Sequence, residues 1–262
     1  MLTDMTIRPL LLHVHMPKTA GSALNLGVLA PRFKPARVWL SYGVKVERRR
    51  KHLAEEDPVD VDFIAGHLPY GFAAPLGRPV LHVSVLRDPV DRIVSFLNYV
   101  AVAERHGARR KFKTDMKAMA RNDPSRFAEM ILGQDHVRLR QSNTMVRLAS
   151  GMARLSKRTP GLWRLGVALR RTASPDYLIG AQEAFDAFAA HLSARLDHDG
   201  IGAVPPPGAG DNSDEGAKRL ENVVRKADLT PAVIADIETL NALDRRFYDR
   251  VAEGWIAGRM AA

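Results

Sequence analysis

Residues 15 to 24 read HMPKTAGSAL and follow the apolar run Leu10-Leu11-Leu12-His13-Val14. Lys18 brings a mobile positive charge. Thr19 and Ser22 bring hydroxyls, and Ala20, Gly21 and Ala23 are small enough to let a ligand approach the backbone closely. If the apolar run is a strand and a helix opens near Ser22, free N–H groups point outward with the positive end of the helix dipole behind them. An anion such as a phosphate sits well in that turn. The order of residues is not that of the nucleotide-hydrolase loop G-x-x-x-x-G-K-[ST], because the Lys precedes the Gly. The nearest acid that could hold magnesium, Asp88, is better placed to cap a helix, so a magnesium-dependent phosphoryl transfer is disfavoured and no metal site is expected. A strand-turn-helix junction of small residues can also be purely structural.

A second candidate anion cradle lies in LRDPVDRIVSF, residues 86 to 96. Arg87 ends an apolar run and can contact a phosphate through two N–H groups at once. Ser95, eight positions on, adds a hydroxyl from one face of the helix that follows. Arg87 could instead pair with Asp88 or Asp91, and Ser95 could be an ordinary helical serine. Two cradles at the carboxyl ends of neighbouring strands suit a ligand with phosphates at two places. Between them, DFIAGH ends in His67, whose side chain is suited to proton transfer near neutral pH; a strand-end histidine bonded to backbone is the alternative.

The elements that must hold these residues are readable from periodicity. Strands are expected at 10–15, 62–67, 79–86 and 176–181, and a helix start at 22–30. Val90, Ile93, Val94, Leu97 and Val100/Ala101 recur at helical spacing after Asp88 as N-cap and Pro89 at the first helical position. An amphipathic helix is expected at 182–196, and a last helix behind Thr230 and Pro231. Strands alternating with helices predict an α/β fold with a mostly parallel sheet. The stretch 103–172 is basic and helical in character and is expected to be an insertion in a single domain spanning 1–262. Its Arg109, Arg110, Lys111, Lys113 and Arg147 could line a groove for an acidic glycan or form a solvated face. GAVPPPGAGDNSDEG reads as an exposed loop, with 204–210 a candidate lid. His13 and His82 fall within strands and are expected in the core, and His15 is expected at most to support the loop.

The bulk numbers narrow the classes. The chain has 262 residues, 46% hydrophobic and 26% charged, the balance of a globular protein, and no cysteine. Disulfides, thiolate nucleophiles and thiolate metal sites are thereby excluded. No apolar run approaches the roughly 20 residues of a membrane helix. The first residues, MLTDMTIRPLLLHV, do not read as a secretory signal, and a cytoplasmic location is expected. A net charge of +10 points to anionic partners or to a basic solvated surface. Nucleic acid is not the expected partner, since no binding motif is present and aromatic content is only 6%.

Taken together, these motifs resemble a known family. HMPKTAGSA is similar to the 5′-phosphosulfate loop of sulfotransferases that use 3′-phosphoadenosine-5′-phosphosulfate (PAPS), and LRDPVDRIVSFLNY is similar to their 3′-phosphate motif. AGHLPYG resembles the Gly-His segment of the carbohydrate branch, whose best-known members are the heparan sulfate 2-O-sulfotransferases. QSNTMVRLASG and NVVRKADLTPAVIADIETLNALDRRFY resemble bacterial members. The resemblance implies a P-loop-like fold and sulfuryl transfer from PAPS to a hydroxyl of a carbohydrate or similar acceptor, such as an acidic glycan or a lipid-linked sugar, leaving adenosine 3′,5′-bisphosphate. It implies that Lys18 contacts the bridging oxygen, that Thr19, Ala20, Gly21, Ser22 and Ala23 hold the 5′-phosphate, that Arg87 and Ser95 hold the 3′-phosphate, and that His67 is the general base. The family more often has Thr or a second Ser where this chain has Ser22-Ala23, which leaves one hydroxyl fewer. Two other classes carry the same residues: an ATP-dependent P-loop phosphotransferase, and a basic nucleic-acid-binding protein without catalysis.

Overall fold

Short runs rich in Leu, Val and Ile form the centre of the molecule because strands of a parallel sheet are buried on both faces. The computed structural model describes residues 9–41, 61–102, 110–152, 160–203 and 222–256. Five strands, β1 (Leu10–Val14), β2 (Val38–Ser41), β3 (Phe63–Gly66), β4 (Val80–Leu86) and β5 (Tyr177–Ala181), form one sheet in the order β2-β3-β1-β4-β5. Every pairing is parallel. The expected α/β class is therefore observed. All five residues of β1 are buried, as its central place requires. β1 is followed in the chain by β2, on one side of it in the sheet, and β4 by β5, on the other, so the carboxyl ends of β1 and β4 flank the point where strand order reverses and open α/β sheets bind ligands.

β2 is an addition to the expected strands. Its four residues, VWLS, lie at the sheet edge between a 3-10 turn (Pro35–Arg37) and residues outside those described. Leu40 is exposed, while Trp39 is held by stacking on Phe72 at 5.9 Å. The expected helix at 22–30 begins as one short turn, α1 (Gly21–Ala23), and continues as a π-helical stretch (Leu24–Leu29) and a 3-10 turn (Ala30–Arg32). Wide turns of this kind recur at functional sites. Here the stretch buries Leu24, Asn25 and Leu29 over the sheet.

After β4 the chain enters α2 (Pro89–Val102), and Asp88 caps it as expected: its Oδ1 accepts from the N–H groups of Val90 (2.9 Å) and Asp91 (3.0 Å). Val90, Ile93, Leu97 and Ala101 are buried, and they pack with Phe127, Ile131, Val233 and Ile237 in a second, mainly helical cluster. The described part of 103–172 is mainly helical and holds no strand: α3 (Arg110–Asn122), α4 (Pro124–Leu132), α5 (Asp135–Gln141), α6 (Thr144–Ala149) and α7 (Gly161–Thr172). α8 (Phe185–His198), α9 (Pro231–Leu240) and α10 (Ala242–Ile256) complete the chain, with Thr230 capping α9 through Val233 N. Arg109 and the candidate lid at 204–210 lie outside the described residues, as does the basic run 48–52.

Two helix starts cap each other in the interior. Asn143 Oδ1 accepts from Leu243 N (2.9 Å) and Asp244 N (3.1 Å) at the start of α10. Asp244, fully buried, accepts in return from Met145 N (3.1 Å) and Val146 N (2.8 Å) at the start of α6. Beneath them the fully buried Arg92 of α2 donates to Gln141 Oε1 (2.9 Å), Gln141 O (2.8 Å) and Asn241 Oδ1 (3.1 Å). The motifs QSNT and NALDRR thus meet in space and join α2, α5, α6 and α10. Their work is to hold the helical layer against the sheet.

Candidate functional site

The parallel register delivers three chain ends to one edge. Val14 pairs with Gly66, and β4 runs alongside β1 on its other side. The loop 15–20, His67 and Arg87 therefore emerge from three adjacent strands, β1, β3 and β4.

The loop is held in an uncommon backbone shape. Lys18 (φ 69°) and Ala20 (φ 62°) are both left-handed although neither is glycine. Such conformations cost about 1–3 kcal/mol each and persist only where surroundings enforce them. Thr19 supplies part of the enforcement, since its buried hydroxyl donates to Met16 O at 2.9 Å. The Thr19 side chain thus turns into the loop itself, and what it can offer a ligand is its backbone N–H. Left-handed Ala20 followed by right-handed Gly21 is the alternation that makes successive N–H groups converge on one concavity, a ready seat for an anion. Ser22 and Ala23 are exposed at its rim.

Lys18 and Arg87 meet here. Arg87 Nη1 donates to Lys18 O at 3.5 Å. Burial, and then the positive charge of Arg87, push the Lys18 ammonium below its ordinary value. The Lys18 Nζ lies 4.7 Å from the centre of the Tyr99 ring, a cation–π contact. Tyr99 is one helical turn beyond Ser95, so the half-buried Ser95 stands on the face of α2 that addresses the loop.

The carboxylates beside Arg87 are occupied elsewhere. Asp88 caps α2 and pairs with Arg245 at 2.7 Å. Burial alone would raise the Asp88 carboxyl, but Arg245 and the Asp91 N–H hold it below its usual range. Asp91 faces Lys226 at 3.8 Å. Among the described residues Arg87 has no carboxylate partner.

His67 is exposed, and its Nδ1 bonds to His15 O at 2.8 Å. A carbonyl only accepts, so Nδ1 carries the hydrogen and the neutral ring presents its lone pair at Nε2. In that tautomer the basic nitrogen of the ring is Nε2. The rest of the ring lies against His15, whose own ring is stacked on His13. His13 and His82 are buried as expected, and each is held to about 4 by burial. The structure thus gathers Lys18, Arg87, Ser95, His67 and the 19–23 backbone on one edge. Two participants had a faint signal in the sequence that strand and helix spacing alone did not reveal as functional: His15, two residues from His13, and Tyr99, four from Ser95. Chemically, the edge offers a strained N–H concavity, two adjacent cations and an exposed histidine. No protein-family model matches the chain, and no curated protein matches it in sequence. No helix of the described residues is long and apolar enough to cross a membrane.

Proposed function

We propose that the protein is a PAPS-dependent O-sulfotransferase acting in the cytoplasm on a hydroxyl of a carbohydrate or similar acceptor, an acidic glycan or a lipid-linked sugar. One observation carries this reading: Lys18 and Arg87 sit side by side and repel each other, and among the described residues no carboxylate pairs with either. A partly buried Lys18 and a half-exposed Arg87 at the mouth of a strained N–H concavity are stable neighbours when an anion joins them. The spacing to Ser95 supports a second phosphate beside the first. Among the described residues no acidic strand end is aimed at the loop, and sulfuryl transfer is therefore favoured over magnesium-assisted phosphoryl transfer.

In the proposed reaction the bond between sulfur and the bridging oxygen of the phosphosulfate breaks as a new sulfur–oxygen bond forms to the acceptor. Lys18 stabilises the negative charge that builds on the bridging oxygen. His67 Nε2 takes the acceptor proton, and the resulting imidazolium keeps its Nδ1–H on His15 O. The N–H groups of 19–23 hold the 5′-phosphate, and Arg87 and Ser95 hold the 3′-phosphate.

Calorimetric titration tests this directly, comparing adenosine 3′,5′-bisphosphate with AMP and with ATP plus magnesium. Clear preference for the bisphosphate is expected. Preference for ATP with magnesium would turn the site toward phosphoryl transfer, and binding of none of them would remove the nucleotide from the proposal. Preference for generic DNA over all three would favour a nucleic-acid-binding protein.

A further inference from the structure

Strand alternation puts His13 and His15 of the β1 end on the same sheet face, the one covered by the loop and the helical segment behind it. Their rings stack with centroids 5.2 Å apart at 16°. The His15 ring meets that of His67 at 4.8 Å and 51°. Exposure falls along this row, from exposed His67 to His15 at 6% and His13 at 0%. His13 is anchored below by a hydrogen bond between its Nδ1 and Asn25 Oδ1.

The other contact of His15 is with the anion loop. A Cβ placed on Gly21 would fall 2.1 Å from His15 Cδ2 and 2.3 Å from its Nε2. Gly21 is helical, so its glycine is required by this close approach and not by a turn. The His15 backbone engages as well. Its N–H donates to Gly66 O at 2.9 Å, and its carbonyl accepts from His67 Nδ1 at 2.8 Å. The β1–β3 ladder is thereby extended one rung by a side chain.

We infer that His15 is a positioning residue whose ring braces Gly21 of the anion loop against His67, so that loop and base move as one unit. The inference rests on the proposed roles of that loop and of His67. The charged and titratable groups that act on the ring include His13, His67 and Lys18. Burial and these three neighbours hold His15 down to about 2, so it stays neutral and adds no charge beside Lys18. The brace proposed here is a neutral flat ring, which phenylalanine keeps while removing the imidazole nitrogens.

The test is a double-mutant cycle of Gly21→Ala and His15→Ala in the full chain, read by 15N NMR of the His67 ring, with His15→Phe alongside. The wild-type His67 is expected as the Nδ1–H tautomer. Gly21→Ala drives a methyl into the His15 ring and should shift the His67 resonances. The same change in the His15→Ala background should shift them no further. His15→Phe should keep the wild-type tautomer, whereas His15→Ala should lose it. A Gly21→Ala protein with unmoved His67 resonances overturns the inference, as does an equal shift with and without the His15 ring. If His15→Ala does not fold, Gly21→Ala against wild type decides alone. Bisphosphate titration of the wild type is kept separate: its failure removes the functional reading, whereas the NMR cycle judges the brace by itself.

Discussion

Replacing Arg87 by alanine separates a ligand-holding cation from a structural one. In a structural ion pair, removal would leave a buried carboxylate without its partner and cost about 3–5 kcal/mol of stability. Here Asp88 belongs to Arg245 and to the start of α2, and Asp91 faces Lys226. The single contact of Arg87 with the loop is long, at 3.5 Å. Arg87→Ala should therefore change stability by less than about 1 kcal/mol, the range of a half-exposed surface site. A hydrogen bond to a charged group contributes about 1.5–3 kcal/mol, so the affinity for adenosine 3′,5′-bisphosphate should fall about ten- to 150-fold. AMP lacks the 3′-phosphate and should bind nearly as before. Calorimetry with both nucleotides and a urea melt give the three numbers on one preparation. Equal losses for bisphosphate and AMP, or a large loss of stability with binding intact, would refute the assignment of Arg87 to the 3′-phosphate.

Lys18→Ala should lower turnover about 10²–10³-fold, the range seen when one preorganised charge stabiliser is lost, and should weaken bisphosphate binding much less; an unchanged rate sinks its proposed role. His67→Ala should lower turnover about 10²–10⁴-fold with bisphosphate affinity intact, as for a lost general base. If the variant instead unfolds, His67 is a structural residue. Stability should fall in mild acid. His13, His15 and His82 are neutral in the fold, with values of about 4, 2 and 4, against about 6.5 when unfolded. The unfolded chain binds more protons below pH 6.5, so their stabilisation is complete above that pH and is lost as pH falls toward 4. Each contributes at most about 1.4 kcal/mol per pH unit, approached only toward the acid end of that window. Urea melts between pH 7 and 5 measure the slope, and a flat profile contradicts it. Asp244→Ala should destabilise by about 3–5 kcal/mol, because Arg92 is left as a buried charge and two α6 N–H groups lose their acceptor; a loss under about 1 kcal/mol in the same melts would show that the reciprocal caps are dispensable.

Much of this architecture was legible before the chain was folded, because the signals are local. Apolar runs announce β1, β3, β4 and β5, since strands buried on both faces need no polar alternation. Asp88-Pro89 and Thr230-Pro231 announce α2 and α9, since a cap bonds N–H groups only two or three residues away. The positions of Lys18, His67 and Arg87 at strand ends follow from the same runs. β2 was not legible: four residues at an edge, half exposed and beside a charged stretch, carry too short a pattern to stand out.

Contacts between distant residues were settled by the tertiary structure alone. By spacing, Asp88 and Asp91 were the natural partners of Arg87, yet the packing of α10 brings Arg245 to Asp88 and leaves Arg87 beside Lys18. Thr19 reads as a ligand hydroxyl, but the loop folds it onto Met16 O. Gly21 reads as a flexible residue of a phosphate loop, and the fold shows a helical residue with an imidazole pressed on its backbone. Residue types and local periodicity thus determined which chemistry the chain can present and on which elements. Which charges remain unpaired, and which rings touch, depended on the parallel register of β3, β1 and β4 and on the docking of the C-terminal helix, because hydrogen bonds and van der Waals contacts act over a few ångströms in space and carry no trace in sequence spacing.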